Sequence, residues 1–136
     1  MKKTILAIFG LAVMALGQEK AIMDPHCKLM VPADWVDLKV TGVGAHAPGD
    51  MGFNASVRAM PGSSTPNELK TLKAKKGSVV DDNSVRVLLA ESMTAGKKKY
   101  VVITKDMPWA CRATVTFPAD KDAAARKIAD SAKLMK

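Results

Sequence analysis

The chain has 136 residues, with 21 Lys and Arg against 13 Asp and Glu, a formal charge of +8, and only 4% aromatic residues. That length holds one domain and one modest core, which aliphatic residues and alanine must fill. A basic surface favours acidic partners or serves solubility alone. It would suggest nucleic acid in a cytosolic protein, a class that the first residues exclude.

Lys2 and Lys3 precede an almost uninterrupted apolar run from Ile5 to Leu16, closed by Ala15 and Gly17 and followed by Gln18-Glu19-Lys20. A charged start, a short apolar stretch and a small-residue end form a secretory signal peptide. The run falls short of the roughly 20 residues a permanent bilayer helix needs. Cleavage is expected near Gly17, giving a signal over 1–17, an N-terminal extension over 18–26 and a single domain over 27–136. About 119 residues remain after cleavage, enough for that one core. No second apolar run is long enough to span as a helix, so the mature chain is expected not to be transmembrane. No cysteine stands close to Gly17 for lipid attachment.

Residues 27–32 read as a short strand with Cys27, Leu29 and Val31 on one face. Pro32 to Trp35 is a turn, and 36–41 a second strand. Residues 43–52, with three glycines, a proline and His46, read as a loop. Phe53, Ala55, Val57 and Ala59 alternate with Asn54, Ser56 and Arg58, which predicts a strand over 53–59. After Pro61-Gly62, Thr65-Pro66-Asn67-Glu68 predicts a helix start, with Thr65 capping and Glu68 completing a capping box. Leu69 and Leu72 give this helix a narrow apolar edge; Lys70, Lys73, Lys75 and Lys76 make it basic, and Gly77 stops it.

Three strands follow, at about 85–93, 99–106 and 110–117, joined by short connections that predict a meander. Asp120 is placed to cap a last helix running to about Met135, with Ala124, Ile128, Ala132 and Met135 on one face. The fold class is therefore α+β: an antiparallel sheet of about five to six strands with two helices packed on it, in the order βββ-α-βββ-α.

Val31-Pro32-Ala33-Asp34-Trp35, the strand from Phe53 to Pro61 running into Thr65-Pro66-Asn67-Glu68-Leu69, and Thr114 to Pro118 before a helix with Ser131 carry a family resemblance. The chain resembles the PsbP-like superfamily, and its bacterial DcrB-type envelope branch in particular. That resemblance implies an antiparallel sheet with packed helices and a binding or assembly role rather than catalysis. The lipid-attachment cysteine common in DcrB-type proteins is not evident here.

Cys27 and Cys111 are the only cysteines, and each shares a strand face with apolar neighbours. In an exported chain an even count suggests a disulfide, contributing on the order of 4 kcal/mol across so long a loop; the alternative is two separate buried thiols. Asp24, His26, Cys27 and His46 lack the paired spacing of a metal site, and the seven methionines that follow the signal are scattered singly. No metal and no cofactor is expected. Ser63, Ser64, His46 and Asp50 lack a nucleophile-elbow pattern, and Asp81-Asp82 reads as a turn with solvated carboxylates; the chain is read as not an enzyme. Asn54-Ala55-Ser56 is a chance sequon.

The candidate contact residues are His46 in the 43–52 loop, Lys97, Lys98 and Lys99 at a hairpin start, and Trp109 at a hairpin tip. Trp109 either anchors a partner or lipid surface or folds back over the sheet edge. The three lysines either contact an anionic surface or are a solvated turn. The expected function is an exported, non-catalytic binding or assembly protein of the bacterial envelope, periplasmic or secreted. Its partner would be an envelope protein or an anionic surface. The alternative is a periplasmic carrier of a small molecule or metal.

Overall fold

The computed structural model describes residues 18–39, 43–74, 78–93 and 95–135. The signal over 1–17, Lys75, Lys76 and the stop at Gly77 lie outside them. The chain runs β1 (Glu19–Met23), β2 (Cys27–Pro32), β3 (Val36–Leu38), β4 (Val43–Ala47), β5 (Asp50–Pro61) and a 3-10 turn (Gly62–Ser64) into α1 (Thr65–Ala74). It continues with β6 (Ser78–Asp82), β7 (Arg86–Ser92), β8 (Lys97–Thr104), β9 (Trp109–Pro118), a second 3-10 turn (Ala119–Lys121), α2 (Asp122–Asp130) and β10 (Lys133–Leu134).

The architecture is α+β. Seven strands in the order β3-β4-β5-β9-β8-β7-β6 form one sheet, and β1-β2-β10 form a second, with every pair antiparallel. The main sheet is wider than expected because two segments read otherwise are strands. The 43–52 loop is in fact β4 and the start of β5, joined through Pro48 and Gly49, the latter at φ +72°. Ala45 is fully buried opposite Ala55. Asp81 and Asp82 end strand β6 rather than form a turn, with their carboxylates at the surface as expected: Lys105 Nζ lies 2.7 Å from Asp82, and Arg86 Nη2 lies 3.5 Å from Asp81. The hydrogen bond from Lys105 holds the Asp82 carboxyl below its usual range. The 18–26 extension is likewise structured, since β1 pairs with β2 along its length.

Phe53, Ala55, Val57, Cys111, Ala113, Val115 and Phe117 all point to one face and are buried. There the small sheet and α2 cover them through Leu29, Val31, Ala125, Ile128 and Ala129. Alanine at 55 and 113 lets the second layer approach closely, and each fully buried Val, Leu or Phe contributes about 1.5–3 kcal/mol. Cys27 and Cys111 form a disulfide, joining β2 to β9 with their Cα atoms 5.8 Å apart. It staples one sheet onto the other rather than linking neighbours within a sheet.

On the opposite face α1 covers only one end, where Leu72 packs with Met60, Val87, Leu89, Val101, Ile103 and Ala110. The predicted capping box is not formed. Thr65 is already helical after the 3-10 turn, its Oγ1 is buried without a hydrogen-bond partner, and Glu68 pairs with Arg112 instead of reaching back. Asp120 sits in the second 3-10 turn, and no side chain caps α2. That helix stops at Asp130 rather than running to Met135, and its buried face is Ala125, Ile128 and Ala129, with Ala124 exposed. Ser131 marks the stop: its hydroxyl donates to the Ile128 carbonyl at 2.6 Å and accepts from the Met30 N–H at 2.9 Å. The chain then pairs with β2 as β10. Among the described residues no helix is long and apolar enough to cross a membrane.

Candidate functional site

Three turns converge at one end of the main sheet: the β1–β2 turn, the exit of β5 and the β8–β9 turn. Asp24 organises the first. Its Oδ1 accepts from the N–H groups of His26 (2.8 Å) and Cys27 (3.1 Å), and its Oδ2 accepts from Ala59 N–H (3.1 Å). The Gly62 N–H donates to the Pro108 carbonyl at 2.7 Å. Glycine is required at 62, because a side chain would run into the Asp106 carbonyl and the Met107 thioether. These bonds fix the base of the turn and leave its tip outward.

That tip carries Trp109. Its indole stacks on the His26 ring, with centroids 4.5 Å apart and planes 14° from parallel, yet remains 40% exposed. The sequence offered folding back or anchoring a partner as alternatives; the ring rests on His26 with one face covered and the rest partly open to solvent. Met107 beside it is 69% exposed. Between this turn and the start of α1 runs a groove of about 350 Å³, lined by Gly62, Thr65, Pro66, Leu69, Asp106 and Met107, with Lys105 also at its wall. Its lining is almost all carbon. Trp109 is not part of that lining: it shares the parity of Cys111 and stands on the small-sheet side with His26, so exposed Met107 alone borders the groove. Exposed aromatic surface and an apolar concavity at one end are both features of energetic hot spots in interfaces.

The other candidate residues lie elsewhere. Cross-strand register places His46, Asn54, Thr116, Lys99 and Glu91 in one row across β4, β5, β9, β8 and β7. Side chains alternate along each strand, so this row, Lys97 and the neighbouring row of Gly44, Ser56 and Thr114 share the face that α1 leaves open. His46 Nδ1 donates to the Ala47 carbonyl at 2.8 Å. Lys98 points to the opposite face, near Tyr100 and Asp122. The structure thus puts His46, Lys97 and Lys99 on one face, with His46 three strands from Lys99, and places Lys98 and Trp109 elsewhere. The basic residues do not form one patch: Lys28 and Lys133 lie opposite each other on the small sheet, and Lys121 and Lys127 lie on or beside α2.

The other groupings read in the sequence are occupied or dispersed. Cys27 is in the disulfide, the Asp24 carboxylate serves three backbone N–H groups, and His26 is stacked. His46 on β4 lies opposite Asn54 and Asp50 opens β5, while Ser63 and Ser64 follow the end of β5, about 23 Å and about 36 Å of strand away. His26 as the support of Trp109 was not foreseen, since the two rings are distant in sequence and meet only when β2 packs over β9.

No family model and no curated protein matches the chain. Solved structures that share its fold include the following two. A crystal structure from Bacteroides thetaiotaomicron VPI-5482 superposes with a TM-score of 0.64 at 19% identity, covering 88% of this chain and 49% of that one. This chain therefore spans about half the length of that protein. The solution structure of cyanobacterial PsbP (CyanoP) from Synechocystis sp. PCC 6803 gives a TM-score of 0.55 at 10% identity, covering 87% and 93%. The chain has a PsbP-like fold.

Proposed function

We propose that the chain is exported to the bacterial cell envelope and acts there as a non-catalytic binding or assembly domain, docking a partner protein on the end that carries Trp109. One observation carries this reading: a tryptophan held by stacking on His26 yet 40% exposed, with exposed Met107 beside a carbon-lined groove. A soluble domain spends exposed aromatic and thioether surface where it meets something. Export is supported by the signal-like residues 1–17 and by the disulfide, which belongs to oxidising compartments.

The test is photo-crosslinking in cells, with the crosslinker placed at Met107 and, as a control, at Lys98 on a different surface. A discrete protein adduct from 107 and none from 98 is expected. Trp109→Ala should lower the yield about tenfold or more, as loss of a hot spot does. No adduct, or the same adduct from both sites, would refute the docking end. The groove also favours a second reading, since 350 Å³ is within the range of small-ligand pockets. A small-molecule carrier would show a bound species in native mass spectrometry that is lost on denaturation.

A further inference from the structure

We propose that the open face of the main sheet holds a binding site for a phosphate group, formed by Arg58 and Arg112 with the hydroxyls of Ser56 and Thr114. Arg58 and Arg112 are direct cross-strand partners in the β5–β9 ladder. Both are half-buried and lie on the same face. Like charges directly opposite on a sheet repel and are destabilising. Glu68 on α1 pairs with Arg112. Among the described residues no carboxylate pairs with Arg58. The site therefore carries one net positive charge with the carboxylate already engaged.

Ser56 and Thr114 are the next cross-strand pair on this face. Facing side chains on neighbouring strands start about 5 Å apart, and successive residues on one face about 7 Å. The unpaired Arg58 fork, the edge of the Arg112 guanidinium not held by Glu68 and the two hydroxyls are thus neighbours on one face, and guanidinium matches phosphate oxygens with paired hydrogen bonds. Lys28 and Lys133 are also directly opposite each other, but Lys133 is exposed, and flexible lysine stems swing apart into water. Half-buried arginines on a sheet floor have less room to do so. The site is independent of the Trp109 end.

The test is a titration of the chain isolated from cells with inorganic phosphate at low salt, followed by backbone amide NMR. Saturable shifts centred on residues 56–58 and 112–114 are expected. Arg58→Gln, which breaks no ion pair, should weaken binding about tenfold or more with spectral dispersion retained, and Ser56→Ala should weaken it less. Non-saturable shifts, an unchanged affinity in Arg58→Gln, equally tight binding of acetate, or shifts centred on Lys28 and Lys133 would each overturn the site. Phosphatidylglycerol vesicles separate the sources. Vesicle binding that Arg58→Gln weakens and inorganic phosphate reverses identifies a lipid headgroup. Phosphate binding without vesicle binding identifies a soluble phosphate ester. Vesicle binding indifferent to Arg58→Gln overturns the proposal.

Discussion

The two faces of the seven-stranded sheet are built from the same strands and have opposite chemistry. On β9, Cys111, Ala113, Val115 and Phe117 face the small sheet and α2, while Arg112, Thr114 and Thr116 face the side that α1 leaves open. The covered face is apolar because a second layer packs on it. The other face is aliphatic where Leu72 of α1 covers it and polar over the rows that α1 leaves open. An antiparallel sheet permits this asymmetry, since each face is filled by alternate residues and neither constrains the other. The covered face therefore holds the larger core and α1 buries a second cluster at one end of the other face, while the polar rows that α1 leaves open are free for recognition.

The largest effect expected from breaking that division is on the disulfide, which holds the covering layer in place. Replacing Cys27 and Cys111 together by alanine should lower stability by about 4–5 kcal/mol, largely by freeing the unfolded chain, with a further loss from the space left in the core. Denaturant unfolding of the oxidised chain, the reduced chain and the double variant measures it. A loss below about 1 kcal/mol would mean that sheet packing alone holds the layers together.

A sharper comparison uses adjacent residues on the same strand. Val115 is fully buried and Thr114 half-buried. Val115→Ala should cost about 2 kcal/mol through lost burial and the cavity left behind. Thr114→Ala should change stability by no more than about 0.5 kcal/mol. Equal costs would show that the open face is also packed, and would weaken the assignment of that face to binding.

The alternation that makes these faces was legible in the sequence where it was strong. Strands at 53–59 and 110–117 alternate with a clear period of two, the strand at 99–106 is a run of apolar residues buried on both faces, and all are present. Strand β4 escaped because Gly44, Ala45 and Ala47 are small and flanked by glycine and proline, so their alternation resembled a loop. Strand β1 escaped because pairing with β2 in a separate layer, not its own pattern, makes it a strand. The end of α2 depends on the Ser131 hydroxyl bonding Met30, a contact across nearly the whole chain. That Cys27 and Cys111 face the core followed from parity; that they join two sheets did not. The sharing of a face by His46 and Lys99 needs the register of four strands, and the stacking of Trp109 on His26 needs the small sheet in place. Local pattern names the residues that point outward, and only the packing of layers decides which of them meet.

The smallest expected effect tests how the covering layer is fastened at its far side. Tyr100 lies on the covered face, stacked on Phe117, and its hydroxyl donates to Asp122 in the first turn of α2 at 2.5 Å. Burial, then the hydrogen bond to the Asp122 carboxylate, raises the Tyr100 pKa above its usual value. A phenol with a raised folded-state pKa keeps its proton longer in the folded chain than in the unfolded one. Its contribution is therefore complete below about pH 10, the unfolded value, and is lost as pH rises through the higher folded value. Tyr100→Phe should cost about 1 kcal/mol near neutral pH and should flatten the alkaline fall in stability that the parent chain shows above pH 10. If both chains lose stability equally at high pH, the phenol is not what fastens α2. The lysines on the surface would then be the source of the alkaline loss, and the division between a stabilising face and a recognising face would no longer run through Tyr100.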